Sequence, residues 1–151
     1  LAVDRGGFSN PYCDLFVLCP AIEKCKHMWR STMKNRTLNP VWGETKQVPL
    51  LTDGALLHLV CFDFDRVGSD DFLGECLIDL KQYAGGRLHR LTLELDRYKD
   101  SRETATNEEV RGYIVVEIQL TPASSMHTFG RGSAAQARAT PPRTNDVATT
   151  A

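Results

Sequence analysis

No apolar run in this sequence approaches the roughly 20 residues that a membrane-spanning helix needs. Its first residues, Leu1-Ala2-Val3-Asp4-Arg5, lack the apolar core of a secretory signal. An excess of either charge is also missing. The 18 basic and 19 acidic residues leave a formal net charge of −1, which argues against the broad basic field of a nucleic-acid binder and leaves any charge-driven partner to a local patch. The five cysteines, Cys13, Cys19, Cys25, Cys61 and Cys76, include no C-x-x-C pair. Neither a zinc knuckle nor a disulfide framework is therefore expected, and they read as reduced, mostly buried thiols of a cytosolic protein. Catalytic signatures are absent too: there is no nucleophile motif or phosphate-cradling glycine loop, and His27, His58, His89 and His127 are scattered without ligand or base spacing. The chain reads as a non-enzyme.

What is present fits one domain with short strands. At 151 residues the chain has the size of a single core with some unstructured sequence. Tyr12 to Cys19, Leu56 to Phe64, Phe72 to Leu80, Arg90 to Leu95 and Gly112 to Leu120 alternate or run apolar in the manner of strands, with weaker candidates at His27 to Met33 and Glu44 to Pro49. No amphipathic helix longer than two turns competes with them, so the expected fold is an all-β, antiparallel β-sandwich. Asp96 to Arg111 is polar throughout and reads as a long solvated loop. From Pro122 the composition shifts to Ser, Ala, Thr, Gly, Pro and Arg, and residues 122–151 are expected to form a disordered tail behind a domain of residues 1–121.

The informative residues lie in two turn segments, Asp4 to Tyr12 and Asp63 to Asp71. Asp63 and Asp65, two apart at a strand end, are expected to leave the same face and to share one cation, because neighbouring carboxylates repel without a counter-charge. Carboxylates, an amide and backbone carbonyls on flexible loops, without imidazole or thiolate, suit calcium better than magnesium or zinc. The alternative stays open for each loop taken alone: aspartate and glycine also occupy turns simply because they accept turn geometry.

Three motifs in order carry a family resemblance: Gly-x-Ser-Asn-Pro-Tyr at Gly7 to Tyr12, Thr-Leu-Asn-Pro-Val-Trp-Gly-Glu at Thr37 to Glu44, and Asp-Phe-Asp-Arg through Asp-Asp-Phe-Leu-Gly at Asp63 to Gly74. They resemble the C2 domain first described in protein kinase C, over about residues 1–120. The resemblance implies a Greek-key sandwich and calcium ligands at Asp4, Asn10, Asp63, Asp65 and Asp71, holding about two calcium ions. Asn10 stands where the family usually has aspartate, which lowers the ligand charge, and Gly68 offers no side-chain oxygen for a third ion. Only Leu1-Ala2-Val3 stand where the family has a full strand before the first loop, so the sheet is expected to lack its first strand. The strand at Gly112 to Leu120 resembles the closing strand of the type II permutation. It inclines the chain toward vesicle-trafficking members of the Unc-thirteen type.

The implied function is calcium-dependent docking on anionic phospholipid, in vesicle trafficking, exocytosis or signalling, at a cytoplasmic location peripheral to the membrane. Arg5, Phe8, Arg66 and Val67 stand where the family inserts its loop tips into the bilayer. Phe8 packed against its own loop is the alternative. Trp42 is expected to pack in the core. Lys24, Lys26, Arg30, Lys34 and Arg36 resemble the basic face that some members use for phosphoinositide headgroups; a merely solvated strand face is the alternative there. The expected partners are the membrane and a trafficking protein, with no nucleic acid. The competing functions are a calcium-independent protein-interaction module and the targeting domain of a larger lipid-signalling enzyme.

Overall fold

The structure, a computed structural model, describes residues 8–50, 54–97, 110–121 and 133–139, the last as backbone. Eight strands follow in chain order: β1 (Pro11–Cys19), β2 (Lys24–Arg30), β3 (Thr45–Leu50), β4 (Leu56–Asp63), β5 (Asp71–Asp79), β6 (Leu88–Glu94), β7 (Tyr113–Thr121) and β8 (Ser133–Ala139). The other regular elements among the described residues are two single 3₁₀ turns, Pro20–Ile22 and Leu80–Tyr83. The strands form two antiparallel four-stranded sheets, in the orders β2-β1-β4-β5 and β3-β8-β7-β6.

Period-two alternation builds the core. Cys13, Leu15, Val17 and Cys19 of β1 and Leu57, Leu59 and Cys61 of β4 turn inward from the first sheet. Val48 and Leu50 of β3 and Ile114, Val116 and Ile118 of β7 meet them from the second. This is the expected sandwich, and the five strong strand assignments agree with the structure to within two residues at each end. Trp42 is half-buried, packs on this core and donates its indole N–H to the Thr32 carbonyl at 3.0 Å.

The outer face of the first sheet is closed as well. Tyr12, Val60 and Phe62 form a second buried cluster with Phe16 and Phe72 packed against it. Beside them Asp14 is 3% exposed. It accepts from Arg30 Nε at 2.9 Å and Nη2 at 2.7 Å, and it pairs with His27 Nε2 at 2.8 Å. His58 Nε2 pairs likewise with the buried Glu75 at 2.6 Å. Scattered in sequence, two histidines thus gain carboxylate partners through strand pairing. Burial alone would raise the Asp14 carboxyl, but the hydrogen bonds from Arg30 and His27 outweigh it and hold the group below the ordinary carboxylate range.

Ser133–Ala139, expected in a disordered tail, is instead β8, one of the four strands of the second sheet. It lies antiparallel between β3 and β7, with Val48 opposite Ala135 and Ile118 opposite Ala137. Ser-Ala-Ala-Gln-Ala-Arg-Ala carries no β-branched or aromatic residue, so the composition gives no strand signal. What makes it a strand is the pair of backbone edges that β3 and β7 offer, since ladder hydrogen bonds need no particular side chain.

Two outcomes follow. A chain ending at Thr121 should melt at a lower temperature than the full chain, because β3 and β7 then face unpaired edges; equal melting temperatures would return residues 133–139 to a tail. Replacing Asp14 with Asn should cost about 1–3 kcal/mol at neutral pH. A carboxyl lowered in the folded state stabilises above its unfolded pKa, near 3.9, and loses that contribution as pH falls through the folded value. Urea melts of the two proteins should therefore converge in acid and separate above about pH 4.

Candidate metal centre

The site starts where β4 runs out. Asp63 ends the strand, pairs across β1 with Pro11 and stands opposite Asp71, the first residue of β5. Directly opposed residues of an antiparallel pair project to the same side, with Cβ atoms about 5 Å apart, and like charges in that position destabilise the pair. Asp63 is also 4% exposed. Its Oδ1 accepts the Asn10 backbone N–H at 2.6 Å, while its Oδ2 is buried with no hydrogen-bond partner among the described residues. A carboxylate oxygen removed from water without a donor costs several kcal/mol unless a cation meets it.

A bulge aims the opposing strand. The β4–β5 register shifts between Cys61 and Phe62, leaving Leu73 as the extra residue. Next to it Gly74 has φ +140°, and a Cβ there would meet Val110 Cγ1 at 2.7 Å and Leu95 Cβ at 2.8 Å. Only glycine fits this approach, which accounts for the final residue of the Asp-Asp-Phe-Leu-Gly motif.

Asp65 corrects one expectation. β4 stops at Asp63, so Asp65 lies in the loop, and strand alternation does not set its direction. It is held instead by a turn in which its Oδ1 accepts from the Val67 N–H at 3.0 Å. Asp70, which sequence reasoning left without a role, locks the same loop: Oδ1 accepts from the Asp65 N–H at 3.0 Å, and Oδ2 from the Tyr12 hydroxyl at 2.7 Å. Burial, followed by that hydrogen bond, raises the Tyr12 phenol far above its usual value. Gly68, at φ +126°, sits in this loop where a side chain would be strained, and a Cβ would lie 3.6 Å from Asp65 Oδ2.

The other loop is tied to the site by its backbone. Asn10 receives the Phe64 N–H on its carbonyl at 3.1 Å, and its side-chain Oδ1 receives the Arg36 N–H at 3.1 Å. Asn10 thus joins three segments. Asp4 and Arg5 lie outside the described residues. Among the described residues no three His, Cys, Asp or Glu side chains gather as a metal cage. The two carboxylates that stand opposite each other, Asp63 and Asp71, suit a hard cation.

At the loop tips Val67 is 85% exposed and Phe8 42%, with Arg66 exposed beside Val67. The Arg36 guanidinium lies 5.0 Å from the centroid of the Phe8 ring. Phe64, 38% exposed in the same loop, is an apolar tip residue that sequence reasoning passed over.

The five basic residues do not form one face. Lys24 and Lys26 are exposed on β2, but Arg30 is engaged by Asp14 and stacks 4.4 Å from the Tyr12 ring centroid. Lys34 and Arg36 lie past the end of β2 in the following loop. The intervening Met28 and Trp29 pack on the core.

Comparison with known proteins bears on this geometry. Residues 1–95 match the model of the C2 domain family. Mouse multiple C2 and transmembrane domain-containing protein 1 is 31% identical over 126 residues, 83% of this chain and 12% of that protein. Tricalbin-3 of Saccharomyces cerevisiae is 32% identical over 98 residues, 63% of this chain and 6% of that protein. Rabphilin-1 of Caenorhabditis elegans is 34% identical over 124 residues, 78% of this chain and 11% of that protein. The chain therefore spans a small fraction of the length of these relatives. Among solved structures, the C2A domain of plant extended synaptotagmin 1 shares the fold at a TM-score of 0.54 and 19% identity, covering 92% of this chain and 82% of that one. With most of its length matched by the family and its strands arranged as the family's sandwich, the chain belongs to the C2 domain family.

Proposed function

We propose that this chain is a calcium-dependent membrane-docking module, with Asp63, Asp65, Asp71, Asn10 and Asp4 as its calcium ligands and anionic phospholipid as its partner. The observation that carries this reading is the buried Oδ2 of Asp63, which has no hydrogen-bond partner among the described residues and lies on a strand end opposite Asp71. Without a cation the two carboxylates repel each other and any anionic surface that approaches. Bound calcium supplies the charge that cancels them and open coordination positions for phosphate oxygens. The chain's own residues do the rest. Asp70 and Tyr12 hold the Asp65 loop in shape, Asn10 keeps the two loops together, and Phe8 and Val67 reach past them.

Insertion of Phe8 contributes up to roughly 1.5–3 kcal/mol by buried area, and Arg66 on the order of 1 kcal/mol against an anionic leaflet. Lys24 and Lys26 are the basic residues left open to headgroups on the sheet face. A role in vesicle trafficking at a cytoplasmic membrane surface belongs to the same proposal, supported by kinship with tricalbin and rabphilin. A second reading, a calcium-independent interaction module, draws on Asn10, whose side-chain oxygen is already engaged with the Arg36 backbone.

Sedimentation with phosphatidylserine liposomes separates the two. The full chain should pellet with liposomes in calcium and stay in solution with chelator, and an Asp63→Asn/Asp65→Asn variant should stay in solution in both. Pelleting unchanged by chelator would establish the calcium-independent module instead. Phe8→Ala should weaken liposome binding about tenfold with calcium affinity unaltered in the absence of lipid; undiminished liposome binding would remove Phe8 from the membrane contact.

A further inference from the structure

We infer that Cys13 and Cys61 are a cross-strand thiol pair that closes to a disulfide when the folded domain meets a peroxide. The two residues stand directly opposite each other on β1 and β4. Which kind of opposition this is can be read from the backbone. Cys13 receives the Ser31 N–H on its carbonyl at 2.8 Å and donates its own N–H to the Ser31 hydroxyl at 2.8 Å. Both main-chain groups thus point toward β2, away from β4. Opposite Cys61, Cys13 is therefore in the narrow, non-hydrogen-bonded site, where Cα atoms approach to about 4.5 Å. That spacing lies inside the range a disulfide spans, about 4.4–6.8 Å. The sulfurs are already in contact, Sγ to Sγ at 2.8 Å.

The surroundings assign the two sulfurs different parts. The hydrogen bond with Cys61 and then burial raise the Cys13 thiol, and either sulfur can be the donor in that contact. Cys61 also lines a cavity of about 190 Å³ between the sheets, with Ser9, Trp42, Leu73, Leu95 and Ile114, which is room for a molecule the size of a peroxide. Cys61 Sγ attacks one peroxide oxygen, the O–O bond breaks, and the first water leaves with a sulfenic acid on Cys61. Cys13 Sγ then attacks that sulfur, the S–O bond breaks, the second water leaves and the S–S bond forms. Two electrons and two protons pass from the thiols to the peroxide. Cys76, the third core thiol nearby, is raised by burial to about 12 and lies opposite Leu59, two pairs along the ladder from Cys61.

The crosslink would join residues 48 apart in sequence, two positions from Pro11 on β1 and two from Asp63 on β4. It would fasten the roots of both acidic loops to each other. This inference does not depend on the calcium reading, because it rests on the core side of the same strands.

The test treats the folded full chain, and a Cys25→Ser variant that lacks the exposed thiol, with hydrogen peroxide. Remaining thiols are alkylated and the protein is digested without reductant for peptide mapping. A Cys13–Cys61 linked peptide is expected in both proteins, together with a melting temperature raised by several degrees and restored by dithiothreitol. A Cys76→Ala variant should keep the linked peptide, and Cys61→Ser should lose it. Free Cys13 beside oxidised Cys61, a Cys61–Cys76 link, or every thiol still free after treatment would each overturn the inference.

Discussion

Two carboxylates facing each other across the open end of an antiparallel pair set the terms for the rest of this domain. Asp63 and Asp71 occupy opposite positions on β4 and β5, and one oxygen of Asp63 is buried without a donor among the described residues. A fold does not retain such an arrangement for stability, since like charges in register weaken the ladder and a buried unpaired oxygen weakens it further. Everything around the pair holds it in place. The Asn10 N–H takes the other oxygen of Asp63, Asp70 and Tyr12 fasten the neighbouring loop, and the bulge at Leu73, made possible by Gly74, sets the direction of β5.

The scaffold supports that cost through ordinary burial. Alternating residues from both sheets fill one core, and the first sheet closes its outer face with an aromatic cluster and the Asp14–Arg30–His27 group. Rigid strands therefore end at the acidic loops, so the geometry of the site is fixed by the ladder up to its last pair. Beyond that pair, side-chain hydrogen bonds from Asp65 and Asp70 take over the shaping of the loop after β4.

Most of the fold was legible because its signals are local. Period-two alternation marks β1, β4, β5 and β7, and the motif residues Asn10, Asp63 and Gly74 stand where chemistry or backbone geometry requires them. What escaped depends on partners far away in sequence. β8 is a run of small residues made into a strand by the edges of β3 and β7, and no window of its own sequence could reveal that. Asp70 looks like any loop aspartate until Tyr12 is brought to it from 58 residues away. His27 and His58 appear isolated because their carboxylates lie on neighbouring strands. The basic stretch looked continuous in sequence, yet Asp14 withdraws Arg30 from it, and the turn after β2 carries Lys34 and Arg36 elsewhere.

Isothermal titration of calcium into the lipid-free full chain, beside an Asp63→Asn variant shown to be folded, tests the central claim most directly. A saturable heat of binding in the wild-type chain that disappears in the variant is the predicted result, since the variant removes the charge on a buried carboxylate that has an oxygen without a donor among the described residues. Equal heats in the two proteins, or none from a folded wild-type chain, would contradict the assignment of Asp63 as the anchor of a calcium site.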